Sequence, residues 1–360
     1  MRRFTKGIAG ALAVVLLALA VPVLWIEAAC RTAREPGTLT RVPLVADPGY
    51  ARGDADSYLA YPAWHVVWAH QDLAAALRRG DPSEFAYGRR ITGFWTSLCA
   101  LTRVVTARGR VGADTKLPLY ATGWRFTAEL AMKGAYEKTL GRAFERLRGP
   151  GKTAEEEFAA RDMQSYAEFL RQAPWYEYSF GWRLLAFWRS TPLRGDDLPR
   201  KLERRVVMTL EYGTKALAAG LAGYASSTAP DASDLEIHTV VIGLDQSDTV
   251  REPRMRIVRE LGGARTLIRS PRDQTHTDLL VRLARRGRDV AEIAGNHRIL
   301  VTVLAPESPM PSTPGVVELF ETPVEARPDR RRVGLDVSVE RLAAAIRSLE
   351  LAGITIEHIF

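Results

Sequence analysis

The sequence predicts an N-terminal transmembrane helix, an all-α helical bundle and a C-terminal α+β domain whose antiparallel sheet follows a ferredoxin-like layout. Three observations predict this. Gly7 to Ile26 is a run of 20 residues without a charge. Residues 60–205 carry helical periodicity with little strand alternation. Beyond SSTAPDASD (226–234), which has linker composition, short β-rich runs alternate with two helical ones. The expected units are therefore an anchor at 1–30, a helical membrane-proximal domain at 58–229 and an α+β domain at 235–360.

The anchor comes first. An uncharged run of this length is enough to cross a bilayer core as a helix. MRRFTK before it favours a cytoplasmic N-terminus, with the chain leaving the cytoplasm. Glu27 occupies the −3 position for cleavage after Ala29, and also the aliphatic position of a lipoprotein signal ahead of Cys30. The run thus reads as an uncleaved anchor, with Trp25 at its outer end as an interfacial aromatic. The expected location is the cell membrane, with the bulk of the chain extracytoplasmic.

The helical middle is divided by RRGDPSE, VGADTKLP, RGPGKT and TPLRGDDLP, which read as loops. Asp81 or Ser83 is placed to cap a helix starting near Pro82, and Thr153 with Glu156 has capping-box spacing. Within YPAWHVVWAHQD (61–72), His65 and His70 fall about 140° apart on a helix, so they make no metal pair. His65, Trp68 and Asp72 align, beside a stripe of Tyr61, Trp64 and Trp68. This pattern fits an amphipathic helix whose aromatics meet the bundle core or lipid headgroups. Arg125, Glu129, Lys133 and Glu137 recur every four residues and read as a solvated charge ladder. The sharper alternative buries Glu129 or Glu137 for acid–base work. The aromatic run from Trp175 to Trp188, with Glu177 beside it, suits stacking on sugar rings with a carboxylate nearby, as in a glycan-processing cleft, and equally an interfacial belt or a core.

Residues 206–225 form a second apolar stretch, interrupted by Glu211 and Lys215 at pairing distance along a helix. Spanning would violate the positive-inside tendency and bury charge. An amphipathic or bundle helix is expected, with a second span as the alternative.

In the last domain, IHTVVIGL and ARTLIRS read as strands and residues 275–286 as a helix. Two apolar runs around Gly295-Asn296 read as a hairpin. VVELFETP and RRVGLDV form a second antiparallel pair, and a helix at 339–351 precedes the strand ITIEHIF. In the loop before the first helix, Arg272 and His276 are candidate anion ligands.

Composition narrows the partners. Fifty basic residues against 42 acidic give a net charge of +8, but the cations are scattered among acids rather than gathered on one face. Membrane lipid, and a protein partner in the membrane, are therefore expected rather than nucleic acid. No spacing of Cys, His or carboxylates suits a metal, and no glycine-rich phosphate loop or nucleophile elbow is present, so neither metal nor cofactor is expected. Nothing in the spacing of Cys30 and Cys99 argues for a disulfide, and Cys99 reads as a small buried hydrophobe. The function these features imply is a membrane-anchored, non-enzymatic protein with an α+β ligand- or partner-binding module. The alternatives are an envelope enzyme acting on glycan or lipid through its carboxylates, and an accessory subunit of a transport or assembly complex.

Overall fold

The structure is a computed structural model that describes residues 20–32, 42–47, 49–80, 82–149, 151–225, 236–272 and 274–360. Most of the expected anchor and the linker 226–234 lie outside the described residues. Among the described residues, no helix is long and apolar enough to cross a membrane.

A first helix, α1, covers residues 20–29. The helical unit continues with α2 (Asp54–Tyr58), α3 (Tyr61–Arg79), α4 (Tyr87–Arg108), α5 (Ala113–Tyr136), a π-helical turn (Glu137–Gly141), α6 (Arg142–Leu147), α7 (Ala154–Phe169), α8 (Phe180–Ser190) and α9 (Leu198–Ala225). The punctuation is largely where the sequence puts it. Gly80 ends α3 in a left-handed conformation, donating to the carbonyls of Ala76 and Leu77. Thr153 and Glu156 form the expected capping box of α7. Two details differ. Ser83 caps nothing and instead donates to Glu145, because α4 starts only at Tyr87. VGADTKLP is mostly helix, with Pro118 tolerated inside α5.

Cys30 and Cys99 form a disulfide that fastens the end of α1 to α4. Cys99 is buried, as expected, but as half of a cross-link. The pairing escapes sequence analysis because 69 residues separate the two sulfurs. Helices α4 and α5 pack closely where a β-carbon is missing: one added at Gly123 would lie 2.6 Å from the ring of Phe94 and 2.8 Å from that of Trp95.

The α+β domain is not a single ferredoxin-like sheet. Its strands β1 (Glu236–Ile242), β2 (Arg256–Gly262), β3 (Arg265–Pro271) and β4 (Asp289–Ile293) form one antiparallel sheet in the order β2-β3-β1-β4. β5 (Arg298–Pro306), β6 (Val316–Pro323), β7 (Arg330–Ser338) and β8 (Thr355–Ile359) form a second in the order β6-β7-β5-β8. Helix α10 (Gln246–Arg251) follows β1, α11 (Gln274–Arg285) precedes β4, and α12 (Leu342–Leu351) precedes β8. Renumbering the second sheet from one reproduces the first, so the domain is a tandem pair of βββαβ repeats. The β6–β7 hairpin is as expected. The Gly295-Asn296 turn is not a hairpin: it links β4 of one sheet to β5 of the other, and only Ile293 and Asn296 bridge across it. The repeat was hidden because β2 has almost no buried side chain and so lacks the alternation that marks a strand.

Period-2 alternation divides each sheet between two cores. Ile299, Val301 and Val303 of β5 join Val241 of β1 and Ile268 of β3 in one core with α11 and α12, whereas Leu300 faces the helical unit. The opposite face of the first sheet, through Val240 and Leu267, is covered by Val45 and Tyr50. The buried Glu292 of β4 fixes that cover by accepting from the Leu44 amide at 3.1 Å and the Tyr50 hydroxyl at 2.6 Å. The second sheet is covered by α3: Tyr61 meets Phe320 at 4.6 Å between ring centroids, Trp64 meets His358 at 4.0 Å, and the Arg332 guanidinium lies 4.0 Å over Trp68.

Gly123→Ala should lower the thermal midpoint despite the better helix propensity of alanine, because two rigid rings must shift. The expected cost is about 1–3 kcal/mol, read by thermal unfolding, and an unchanged or raised midpoint would refute the close packing of α4 on α5.

Candidate functional site

The stretch YPAWHVVWAHQD (61–72) belongs to the core. His65 is buried against Phe94 and Phe126, with Nε2 on the Arg90 carbonyl at 3.0 Å. Burial pushes its pKa down to about 3, which keeps the ring neutral. Asp72 does not reach His65. It pairs with Arg90 at 2.8 Å and accepts from the Ala326 amide at 2.9 Å, tying α3 to the loop after β6.

The charge ladder on α5 is not a solvated face. Glu129, Lys133 and Glu137 turn inward to α9, Arg125 lies 4.6 Å over the Trp175 ring, and the exposed positions from Leu117 to Ala135 carry no charge. Lys215 Nζ lies 2.7 Å from Glu129 and 3.0 Å from Glu211, whose two oxygens are each 2.9 Å from Lys133 Nζ. His70 Nε2 is 3.4 Å from Glu129, while its Nδ1 is 2.7 Å from the Val66 carbonyl. Burial alone would raise the carboxyl pKa values. Lys215 and His70 outweigh it and hold Glu129 well below the usual range, and Lys133 with Lys215 brings Glu211 down to about 2. A carboxylate so held is a weak base and keeps no proton to donate near neutrality.

Glu137 lies at the start of the π-helical turn, fully buried, with a two-point ion pair to Arg204 at 2.7 and 2.6 Å. The Gly141 carbonyl at the end of that turn accepts from Arg200 at 3.0 Å. Glu203 joins the same cluster through Arg200, Arg204 and the Tyr136 hydroxyl, and burial pushes its carboxyl up to about 7. Glu177 stands apart, exposed on a 3-10 turn. Around it the aromatic run divides: Tyr178, Phe180 and Phe187 are buried, whereas Trp182 is 71% exposed and Trp188 48%. Among the described residues, no group of three metal-ligating side chains occurs.

Arg272 and His276 take different roles. His276 is buried with Nδ1 on the Ser270 hydroxyl at 2.9 Å. Arg272 donates to the Asp56 carbonyl at 2.7 Å, holding α2 against the first repeat. The same loop nonetheless borders an opening. Thr275 and Ser270, with Asp278, Leu279 and Arg282 along one side of α11 and Arg286 just after it, face the segment Arg251–Met255 across a cleft of about 380 Å³. Glu252 and Asp248 brace it from below. Glu252 is 2.8 Å from Arg282 and 2.8 Å from Arg286, and Asp248, fully buried, is 2.9 Å from Arg286. Arg254 contacts Thr275 Oγ1 at 3.2 Å. Four arginines thus face two carboxylates, Glu252 and Asp278, over an apolar floor of Met255 and Leu279. Arg251 and Arg254 stand outside any ion pair among the described residues. The signal available in the sequence was the density of arginine around α11 and REPRMR, but only the fold brings the two segments together.

No protein-family model matches the chain, and no curated protein or solved structure matches it either.

Lys215→Met should destabilise the protein at pH 7 by about 3 kcal/mol, since Glu129 and Glu211 lose a shared cation. In the native protein their folded pKa values lie below the unfolded ones, so their stabilisation is complete above about pH 4.5 and is lost as pH falls toward 2. In the variant the two carboxyls, left with only Lys133 and His70, take up protons at higher pH than in the native protein. The gap between the two unfolding midpoints should therefore shrink from pH 7 to pH 3, and a constant gap would show that the ladder is not a coupled charge network.

Proposed function

We propose that this chain is a membrane-anchored, non-enzymatic binding protein whose tandem-repeat domain takes a small anionic ligand in the cleft between α11 and Arg251–Met255. The observation that carries this reading is the cleft itself. Two of its arginines are pre-oriented by buried carboxylates, and two more at its edge, Arg251 and Arg254, are in no ion pair among the described residues. Guanidinium groups recognise carboxylate and phosphate oxygens with paired donors, and pre-orientation lowers the entropy lost on binding. The volume is at the small end of ligand pockets, and Met255 and Leu279 suit a ligand with an apolar portion beside its charge. The carboxylates on which an enzymatic reading would rely are either committed to ion pairs, as Glu129 and Glu137 are, or exposed away from neighbours that would tune them, as Glu177 is.

The anchor rests on Gly7–Ile26 and its flanking charge. The disulfide supports the bulk of the chain lying on the oxidising side, where such bonds form and persist.

Titration of the full chain with inorganic phosphate and with benzoate should give binding to at least one, weakened about tenfold or more in Arg254→Gln, which loses one charge-assisted contact. Equal affinity in the variant, or no binding of either probe, would overturn the cleft as a ligand site. Compartment is tested separately by alkylating the denatured, unreduced protein from cells with a mass-tagged maleimide. No added mass is expected, and two labels would place Cys30 and Cys99 on the reducing side.

A further inference from the structure

The helical unit carries a surface built the reverse of a solvated one. Every exposed position of α9 from Leu198 to Leu221 is uncharged, while Glu203, Arg204, Arg205, Glu211 and Lys215 all turn toward the protein and are paired there. Leu202, Val206, Leu210, Leu217 and Leu221 are 45–75% exposed along that stripe. From residue 202 to 221 it runs roughly 29 Å at 1.5 Å per residue. On α5, the exposed positions from Leu117 to Ala135 are likewise uncharged, and Met132 is 68% exposed. The two helices lie antiparallel, since Tyr136 meets Glu203 while Glu129 meets Lys215. Helix α8 packs on α9 and adds Trp182 and Trp188, the latter donating to Thr209 at 3.1 Å. Soluble monomers seldom expose an apolar surface of this extent without covering it.

We infer that this outer face of α5, α8 and α9 is covered by the acyl and interfacial region of a lipid bilayer. The inference rests on the anchor proposed above. Three observations select lipid as the occupant. The uncharged run Gly7–Ile26 ends in α1, where Val21 and Leu24 are more than half exposed. Cys30–Cys99 and the contacts of Glu27 with Lys116 and Tyr120, at 2.9 and 2.6 Å, hold α1 against the N-terminal end of α5. By the antiparallel register that is also the end at which Leu217 and Leu221 lie, so the run enters the fold beside the apolar face rather than across the molecule from it. Third, the exposed tryptophans have the amphipathic rings that favour the headgroup level. With lipid against α9, its inward charges follow: the charged side chains must find partners inside the bundle, and they do.

The test uses the full chain in nanodiscs of phosphatidylcholine and phosphatidylglycerol, with either ordinary or dibrominated acyl chains. Brominated lipid should quench part of the tryptophan emission, and Trp182→Phe with Trp188→Phe should remove much of that quenchable part at unchanged far-UV dichroism. Equal quenching in the native and doubly substituted proteins would overturn the lipid contact while leaving the anchor standing. Elution of the protein apart from the nanodiscs would overturn the anchor, and this inference with it. Cross-linking of two copies through α9 without quenching would assign the face to a second copy instead.

Discussion

The arrangement of the helical unit depends on one constraint: the charges of α5 and α9 have to meet each other. Lys215 between Glu129 and Glu211, with Lys133 on the far side, forms an alternating series across the helix pair. Each of these groups loses water on burial, and none is satisfied without its neighbours. The series therefore fixes the register and the rotation of both helices. Once that rotation is set, the leucines of α9 and the small and apolar residues of α5 have nowhere to face but outward. A two-point Arg204–Glu137 pair continues the series into the π-helical turn, whose last carbonyl is taken up by Arg200. The surface character of the helical unit is thus a consequence of how its interior charges are solved.

The second organising feature is the way the two units are joined. Helix α3 joins them through a single shared core. His65 and His70 pack against Phe94, Phe126 and Tyr166 of the helices on one side, and Tyr61, Trp64 and Trp68 cover the second sheet on the other. Arg332 stacks on Trp68 and is held by Glu357 at 2.5 and 2.7 Å, so a cation at this buried junction is neutralised by its own sheet. The first repeat is covered by residues 42–47 and 49–52, among which Leu44 and Arg52 hydrogen bond to Glu292 and Ala294. The duplicated domain is therefore clamped at both sheets by segments that precede it in the chain.

The cleft owes its chemistry to the same duplication. In the first repeat the short helix α10, capped by Asp245 and Asp248, fills the connection between β1 and β2. Asp248 and Glu252 from this connection reach the last turn of α11 and orient its arginines. In the second repeat the corresponding connection is the proline-rich segment between β5 and β6, which carries no such helix. The two repeats share topology, but only the first has the connection that braces an arginine cluster.

The sequence by itself determined the local structure that depends on short-range physics. Helical periodicity, the capping box at Thr153, the β6–β7 hairpin and the strands β1, β3 and β8 all follow from interactions within a few residues. The boundary between an all-α part and an α+β part is equally visible. The tertiary structure decided everything that depends on which side a residue faces. A charge ladder at i,i+4 spacing is the same pattern whether it meets water or another ladder, and only the presence of Glu211 and Lys215 opposite settles which. Two strands flanking Gly295-Asn296 read as a hairpin because a turn signal carries no information about the sheets its arms join. Glu129 and Glu137 were legible as candidates for burial, but their salt partners lie on α9, far along the chain. Arg272 and His276 mark the loop that borders the cleft, yet the arginines across from it, Arg251 and Arg254, come from a segment that only folding brings alongside.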